Sequence, residues 1–412
     1  VKILKNRDLI NRPEYLDKLI QNKDVDLVKI ITGIRRCGKS SLLDLFENHL
    51  LEIGVPPANI IHMNLESLKY RHLHDYLDFY DYIAKQLNVN ERYYLIFDEI
   101  QEIHGFEKAI ESFRIDFDVD IYITGSNAYL LSSEFSTLLS GRYVQIKMLP
   151  LSFREFLDFY DFSKFPTIEQ KFDKYLQFGG LPILRQYEFD AKRSFEALEG
   201  IYSTVVVKDI LDRNESINGH ILEKLMRFLT ANVGSINSPN NIGNVLTNEG
   251  DIKGKSTYTT KTVSKYIDLL EKAYIIYSVR RFDVKGKQLL RTLGKQYIAD
   301  LGFRSLLVGY DNTDRGHILE NVVYLELLRR DYTVYIGKVG ETEVDFIAEK
   351  ADERLYIQVT ESMLSEDVRK RELRPLQNIS DNFEKIVLSM DRSFINSYNG
   401  IKSLNVIDWL VE

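Results

Sequence analysis

The chain has 412 residues, 44% of them hydrophobic, and a formal net charge of −7. That length suits two to four domains at roughly 100–200 residues each. The acidic balance excludes a uniformly basic nucleic-acid binder, and no apolar run nears the ~18 residues of a membrane span. The single cysteine, Cys37, excludes an internal disulfide, and the opening VKILKNRDLI carries charges where a signal peptide has its apolar core. A reducing, cytoplasmic setting is expected.

In chain order, Arg7, Asp8, Arg12 and Pro13 come first. They either lie near a nucleotide base or start a helix, with Pro13 in its first turn. Asn22-Lys23-Asp24-Val25 is not the base-reading NKxD motif of GTPases, so ATP is expected rather than GTP. The stretch Leu27 to Phe46 follows, reading LVKIITGIRRCGKSSLLDLF. Gly33, Ile34, Arg35, Arg36, Cys37, Gly38, Lys39 and Ser40 match G-x-x-x-x-G-K-[ST], the phosphate-binding loop. An apolar run, Val28 to Ile31, predicts a buried strand before it. Leu42, Leu43, Leu45, Phe46, Leu50 and Leu51 predict a helix from Ser41 onward. Backbone N–H groups of such a loop cradle phosphate oxygens at a helix N-terminus. Lys39 then reaches the β- and γ-phosphates, and the Ser40 hydroxyl ligates Mg²⁺. Cys37 inside the loop is either a small tolerated residue or a place where oxidation would obstruct phosphate.

Asn59 to Leu65 predicts a second strand, and a polar helical region runs from Glu66 to Leu87. His62, His72 and His74 there read as surface histidines, because a two-residue spacing does not share a helix face. Tyr93 to Phe97 predicts a buried strand ending in Asp98-Glu99. Asp98 is placed to support Mg²⁺, and Glu99 to deprotonate the attacking water. Gln101 either supports that base or the γ-phosphate, or starts a helix. Ile121 to Thr124 predicts another core strand, followed by Ser126 and Asn127. They read as γ-phosphate sensors or as a helix N-cap. Arg142 precedes a strand over Tyr143 to Met148. It reads as an arginine finger, in its own subunit or into a neighbour's site within a homo-oligomer, or as a surface ion pair.

After Pro150 the pattern turns helical. Residues 151–215 are expected as a helical lid around Phe178-Gly179-Gly180-Leu181-Pro182, whose glycines either approach the nucleotide or break two helices. Residues 216–290 are expected as a winged helix, with helices over Ile221 to Val233 and Thr260 to Lys272. Strand Tyr274 to Arg281 and turn Lys285-Gly286-Lys287 would form its wing. Ser216 to Arg291 holds 12 Lys/Arg against 6 Asp/Glu. Lys253, Lys255, Lys261 and Lys265 are candidates for duplex phosphates, or the module joins another protein. In 291–412, Glu320 falls on a predicted helix, Asp345 leads a strand, and Gln358 lies on the next. Helix acid, strand acid and Gln-x-Thr follow the layout of a PD-(D/E)xK nuclease. Thr360 stands where that layout needs a lysine. Lys338 is the substitute at hand, and a degenerate nuclease fold without activity is expected.

Taken together, GIRRCGKSS at 33–41, YLIFDEIQ at 94–101, ITGSNA at 123–128, LSGRY at 139–143, GGLP at 179–182, LEN at 319–321, EVDFI at 343–347 and YIQV at 356–359 resemble a family of bacterial and archaeal AAA-type ATPases. Its members carry a C-terminal domain of unknown function with a nuclease-like pattern. The resemblance implies an α/β P-loop core at 1–150, with the lid, winged helix and nuclease-like tail (291–412) behind it. It implies ATP and Mg²⁺ as cofactors and leaves the partner, DNA or protein, open.

Overall fold

A computed structural model of the chain describes residues 9–126, 139, 141–214, 216–248, 258–310, 314–392 and 395–412. It divides into two compact units, Val1–Met148 with Lys272–Tyr274, and Leu149–Glu271 with Ile275–Glu412.

The first unit is built on five strands: β1 (Val28–Thr32), β2 (Ile60–Asn64), β3 (Tyr93–Asp98), β4 (Val119–Gly125) and β5 (Tyr143–Lys147). They lie in the order β2-β3-β4-β1-β5, and every neighbouring pair is parallel. A parallel sheet carries helices on its faces, so its strands read as continuous apolar runs. Accordingly β1 and β3 are buried at every position. The core packs Ile30, Leu95, Phe97, Phe79, Ile110 and Phe113 together. The polarity of the sheet matters most for function. All five strands end at the same edge, and the loop after β1 and the acids after β3 meet there.

The helix Lys39–Glu52 starts at Gly38, whose φ is 107°, and buries Leu42, Leu43, Phe46 and Leu50. Pro13 opens the helix Pro13–Gln21 as expected from its fixed φ. One charged pair lies inside this core. Lys29 on β1 meets Asp120 on β4 at 2.5 Å, both nearly inaccessible. Burial lowers the Lys29 pKa, and the Asp120 carboxylate opposes that shift.

The second unit holds an eight-stranded sheet in the order β12-β13-β11-β10-β9-β8-β6-β7. Its strands are β6 (Ile276–Asp283), β7 (Gln288–Ile298), β8 (Thr333–Val339), β9 (Thr342–Lys350), β10 (Glu353–Val359), β11 (Glu384–Ser389), β12 (Ser397–Tyr398) and β13 (Ile401–Asn405). The helix Arg315–Arg329 lies almost wholly buried. The helices Phe153–Phe159, Ile168–Phe178 and Ala191–Thr204 fall in the region expected as a lid. Gly179 and Gly180 there make room inside this unit. A Cβ on Gly180 would press on the Leu151 backbone, and one on Gly179 would strike Asp300.

Three helices, Gly219–Ala231, Pro239–Asn248 and Thr260–Lys272, precede the β6–β7 hairpin, the order that a winged helix requires. The hairpin is not a free wing, however. Arg281 to Asp283 on β6 pair in parallel with Ile336 to Lys338 on β8. The two strands therefore extend the C-terminal sheet, and no break falls at residue 290.

Candidate functional site

The loop Gly33 to Lys39 leaves the end of β1 in a tight turn. Gly33 has φ 149°, and a Cβ there would collide with the Met148 carbonyl. Only glycine fits so close an approach. Arg36 takes φ 66°, a left-handed conformation rare outside glycine. The Arg12 guanidinium, buried and stacked 4.6 Å from the Tyr15 ring, donates to the Cys37 carbonyl at 2.9 Å. It braces the loop from behind; Arg7 and Asp8 lie outside the described residues. The Lys39 ammonium folds onto the loop's own carbonyls, 2.9 Å from Gly33 and 3.2 Å from Ile34. It is 5% exposed. Arg35 pairs with Glu66.

Cys37 is fully buried, and burial raises its thiol pKa. A buried thiol with a raised pKa is poorly reactive, which favours Cys37 as a small tolerated residue over a redox-sensitive one.

Asp98 closes β3 beside the loop. Thr124 donates to its Oδ1 at 2.5 Å, Asn64 donates to Oδ2 at 2.8 Å, and Ser40 also hydrogen-bonds it. Burial raises the Asp98 pKa, while Thr124, Ser40 and Lys39 favour its charged form. Glu99 follows with φ 54°, a strained conformation for a non-glycine residue. Its N–H donates to the Thr124 hydroxyl at 3.0 Å. Its carboxylate accepts from the Gln101 amide at 2.5 Å, and the Gln101 Oε1 is buried without a partner among the described residues. Gln101 thus holds the candidate base.

Ser126 is buried one residue past β4, and Asn127 lies outside the described residues. The residue the sequence did not single out is Thr124. The β3–β4 register pairs Phe97 with Ile123, so the next position on β4 meets Asp98. A hydroxyl at the end of an apolar strand was the available signal. Tyr274 was also missed. Its hydroxyl hydrogen-bonds Thr32 at the end of β1 and Gln145 in the middle of β5.

Arg142 does not join this group. The Val28 N–H at the start of β1 donates to the Arg142 carbonyl. Arg142 therefore sits at the N-terminal edge of a parallel sheet, and the phosphate loop sits at the C-terminal edge. Five strand residues at ~3.3 Å each separate the two. Its half-exposed guanidinium pairs with Glu111 at 3.7 Å, the ion-pair alternative. A finger acting in its own subunit is corrected on that ground.

His72 and His74 are exposed as expected, but His62 is part-buried on β2, where it contacts Glu47, and with Asp44 they form a small group of possible ligands.

In the second unit, Glu320, Asp345 and Gln358 do come together. Val359 N–H donates to Asp345 Oδ2 at 2.9 Å, and Gln358 bridges the Asp345 N–H and Glu372. The ammonium that meets these acids is that of Lys295 on β7. It lies 2.9 Å from Glu320, 2.9 Å from Glu343 and 3.4 Å from Asp345. Burial pushes the Lys295 pKa down, but the three carboxylates reverse this and raise it. Burial and the neighbouring Asp345 charge push Glu320 up to about 8, against the pull of Lys295. Thr360 is buried and uncharged. Of the lysines expected to meet a duplex, Lys253 and Lys255 lie outside the described residues. Lys261 is exposed, and Lys265 reaches the Ser216 hydroxyl.

Comparisons with known proteins bear on the domain that carries the first site. A family model described as an AAA domain matches residues 26–157, and a domain of unknown function (DUF8612) matches 169–314. An "Uncharacterized protein" of Haemophilus influenzae is 39% identical over 409 residues, covering 99% of this chain and 100% of that one. An "Uncharacterized protein" of Methanocaldococcus jannaschii is 28% identical over 431 residues, covering 99% of this chain and 90% of that one. The solved Walker-type ATPase of Pyrococcus abyssi superposes with a TM-score of 0.51 at 18% identity, covering 73% of this chain and 96% of that one. That likeness is one of fold. No described helix is long and apolar enough to cross a membrane. The chain belongs to the same family as the Haemophilus influenzae protein, a family with an AAA-type P-loop ATPase domain ahead of a C-terminal domain of unknown function.

Proposed function

We propose that this chain is an Mg²⁺-dependent ATPase that couples its nucleotide state to its hold on a partner, and that the partner is DNA. One observation carries the reading. Asp98 is fixed by Ser40, Asn64 and Thr124 at the strand end beside the phosphate loop, with Glu99 next to it. The donor set fits the group. Ser40 and Asp98 offer the hard oxygens that Mg²⁺ prefers, and the Gly33 turn has no room for a side chain. Bound Mg²⁺·ATP would supply the γ-phosphoryl group and neutralise its charge. Gly33 to Ser41 would hold the phosphates, and Lys39 would exchange two carbonyl partners for phosphate oxygens. Ser40 and Asp98 would hold the metal. Glu99 would orient a water and take its proton, with Ser126 and Asn127 sensing the γ-phosphate. Exposed Lys261, Lys285 and Lys287 support contact with a polyanion.

Lys39→Ala is expected to lose ATP binding. Glu99→Gln is expected to bind ATP and hydrolyse it roughly 10²–10⁴-fold more slowly. Wild-type turnover in Glu99→Gln would overturn the base assignment. A second reading, a switch that hydrolyses rarely and acts through proteins, is favoured by the Gln101 amide held on Glu99. Affinity for duplex DNA that falls steeply with salt supports the first reading; no affinity at low salt supports the second.

A further inference from the structure

The helix Thr260–Lys272 is closed by a residue that its backbone does not suit. The Ile275 N–H donates to the Leu270 carbonyl at 3.1 Å, the bond that closes many helix C-termini. Tyr274 stands just before it, with φ 55°. That position needs a left-handed backbone and usually holds glycine. A bulky side chain there costs on the order of 1–3 kcal/mol and persists only where its surroundings fix it.

What fixes Tyr274 is the rear of the phosphate loop. Its side chain is buried, and its hydroxyl hydrogen-bonds Thr32, the residue before Gly33. The Gln145 amide ties the two hydroxyls together. It donates to Thr32 Oγ1 at 2.8 Å and to the Tyr274 hydroxyl at 3.4 Å. The Thr32 carbonyl is held as well, accepting from the Met148 N–H at 2.7 Å. Met148 in turn is the residue whose carbonyl leaves no room for a side chain at Gly33. Lys272–Tyr274 accordingly folds with the first unit, although the residues on either side of it belong to the second.

Loop and helix end thus share one point. On the ATP reading, Lys39 leaves the Gly33 and Ile34 carbonyls when phosphate arrives. That change begins one residue from Thr32. Thr32 is wholly buried, and a close-packed interior passes a displacement on to its neighbours. Tyr274 is such a neighbour, two residues past the helix that carries Lys261 and Lys265 and two before β6.

We propose that Tyr274 is the positioning residue that carries occupancy of the phosphate loop to the helix Thr260–Lys272, through its hydroxyl on Thr32. This link rests on the ATP reading and deepens it, and it does not depend on DNA being the partner.

The test is hydrogen–deuterium exchange on the full chain, with Mg²⁺ and a non-hydrolysable ATP analogue added or withheld. Peptides over 33–46 report binding. Peptides over 268–277 report the helix end, where the Ile275 N–H is a bonded amide. In wild type the analogue is expected to slow exchange in both, in the second by about tenfold. Tyr274→Phe keeps the ring and removes the hydroxyl. It is expected to keep the slowing at 33–46 and to lose it at 268–277. Thr32→Val cuts the same bond from the other side and is expected to do likewise, the double variant losing no more than either single. A merely structural role would lower the urea midpoint and leave the response at 268–277 in place. Slowing at 33–46 with none at 268–277 in wild type, or full slowing at 268–277 in Tyr274→Phe, overturns the link. If Tyr274→Phe fails to fold, Thr32→Val decides in its place. No slowing at 33–46 in wild type overturns the ATP reading and the link with it, so the two failures are told apart.

Discussion

Thr124→Val is the sharpest probe of the nucleotide site, because it removes one oxygen and almost no volume. That hydroxyl makes two bonds, donating to Asp98 and accepting the Glu99 N–H. Both partners are buried, Asp98 at 2% exposed and Glu99 at 8%. A hydrogen bond to a charged group contributes about 1.5–3 kcal/mol, and an unpaired buried donor costs about 1–3 kcal/mol. The two terms together come to about 2.5–6 kcal/mol, divided between stability and function. Asp98 also loses a bond that opposes its burial, so its pKa rises further. A carboxyl that protonates more readily is a poorer metal ligand. If about 2 kcal/mol falls on the transition state, kcat/KM for Mg²⁺·ATP drops roughly 30-fold. The rest lowers the urea midpoint. Thr124→Ser keeps the hydroxyl and should recover most of the activity. A Thr124→Val protein with wild-type kinetics and a wild-type midpoint would refute the assignment of Thr124 to the Asp98–Glu99 pair.

Two further outcomes follow from single contacts. Gln101→Ala frees the Glu99 carboxylate; turnover should rise several-fold, about 1 kcal/mol off the barrier, with ATP affinity unchanged, whereas a fall in turnover would make Gln101 part of the machinery. Asp300 is buried and accepts N–H bonds from Gly180 and Gly302, yet burial raises its carboxyl from 3.8 to about 6. The folded value exceeds the unfolded one, so its contribution to stability is fully present below pH ~4 and is lost as pH rises through ~6. Two units are worth about 3 kcal/mol. Urea midpoints at pH 4 and 7 should therefore shift between wild type and Asp300→Asn, the variant gaining relative to wild type at the higher pH. An equal difference at both pH values would refute the assignment.

The parts of this chain legible in its sequence are those whose chemistry is written locally. The phosphate loop needs its strand, glycines and helix in one contiguous run. The helix Lys39–Glu52 and the strand Tyr93–Asp98 fall within a residue or two of where apolar spacing puts them. What was not legible depends on which strand lies beside which. Thr124 rather than a later residue meets Asp98 because β3 and β4 pair Phe97 with Ile123, a register no local pattern states. Arg142 looked close to phosphate because glycine and arginine before a strand are suggestive. Parallel pairing, however, puts the start of every strand at the edge away from the ligand. The β6–β7 hairpin was legible as a hairpin, but a hairpin says nothing about its free edge; β8, some fifty residues on, occupies it. Lys295 is the extreme case. A motif fixes the spacing between side chains on one strand, whereas a cation needs only to reach the same point in space. A strand from the far end of the sheet can deliver it, so the motif appears empty at Thr360 while the buried acids are not left without an ammonium. Whether such a motif is filled is thus a question about which side chains meet in space, and spacing within one strand does not record it.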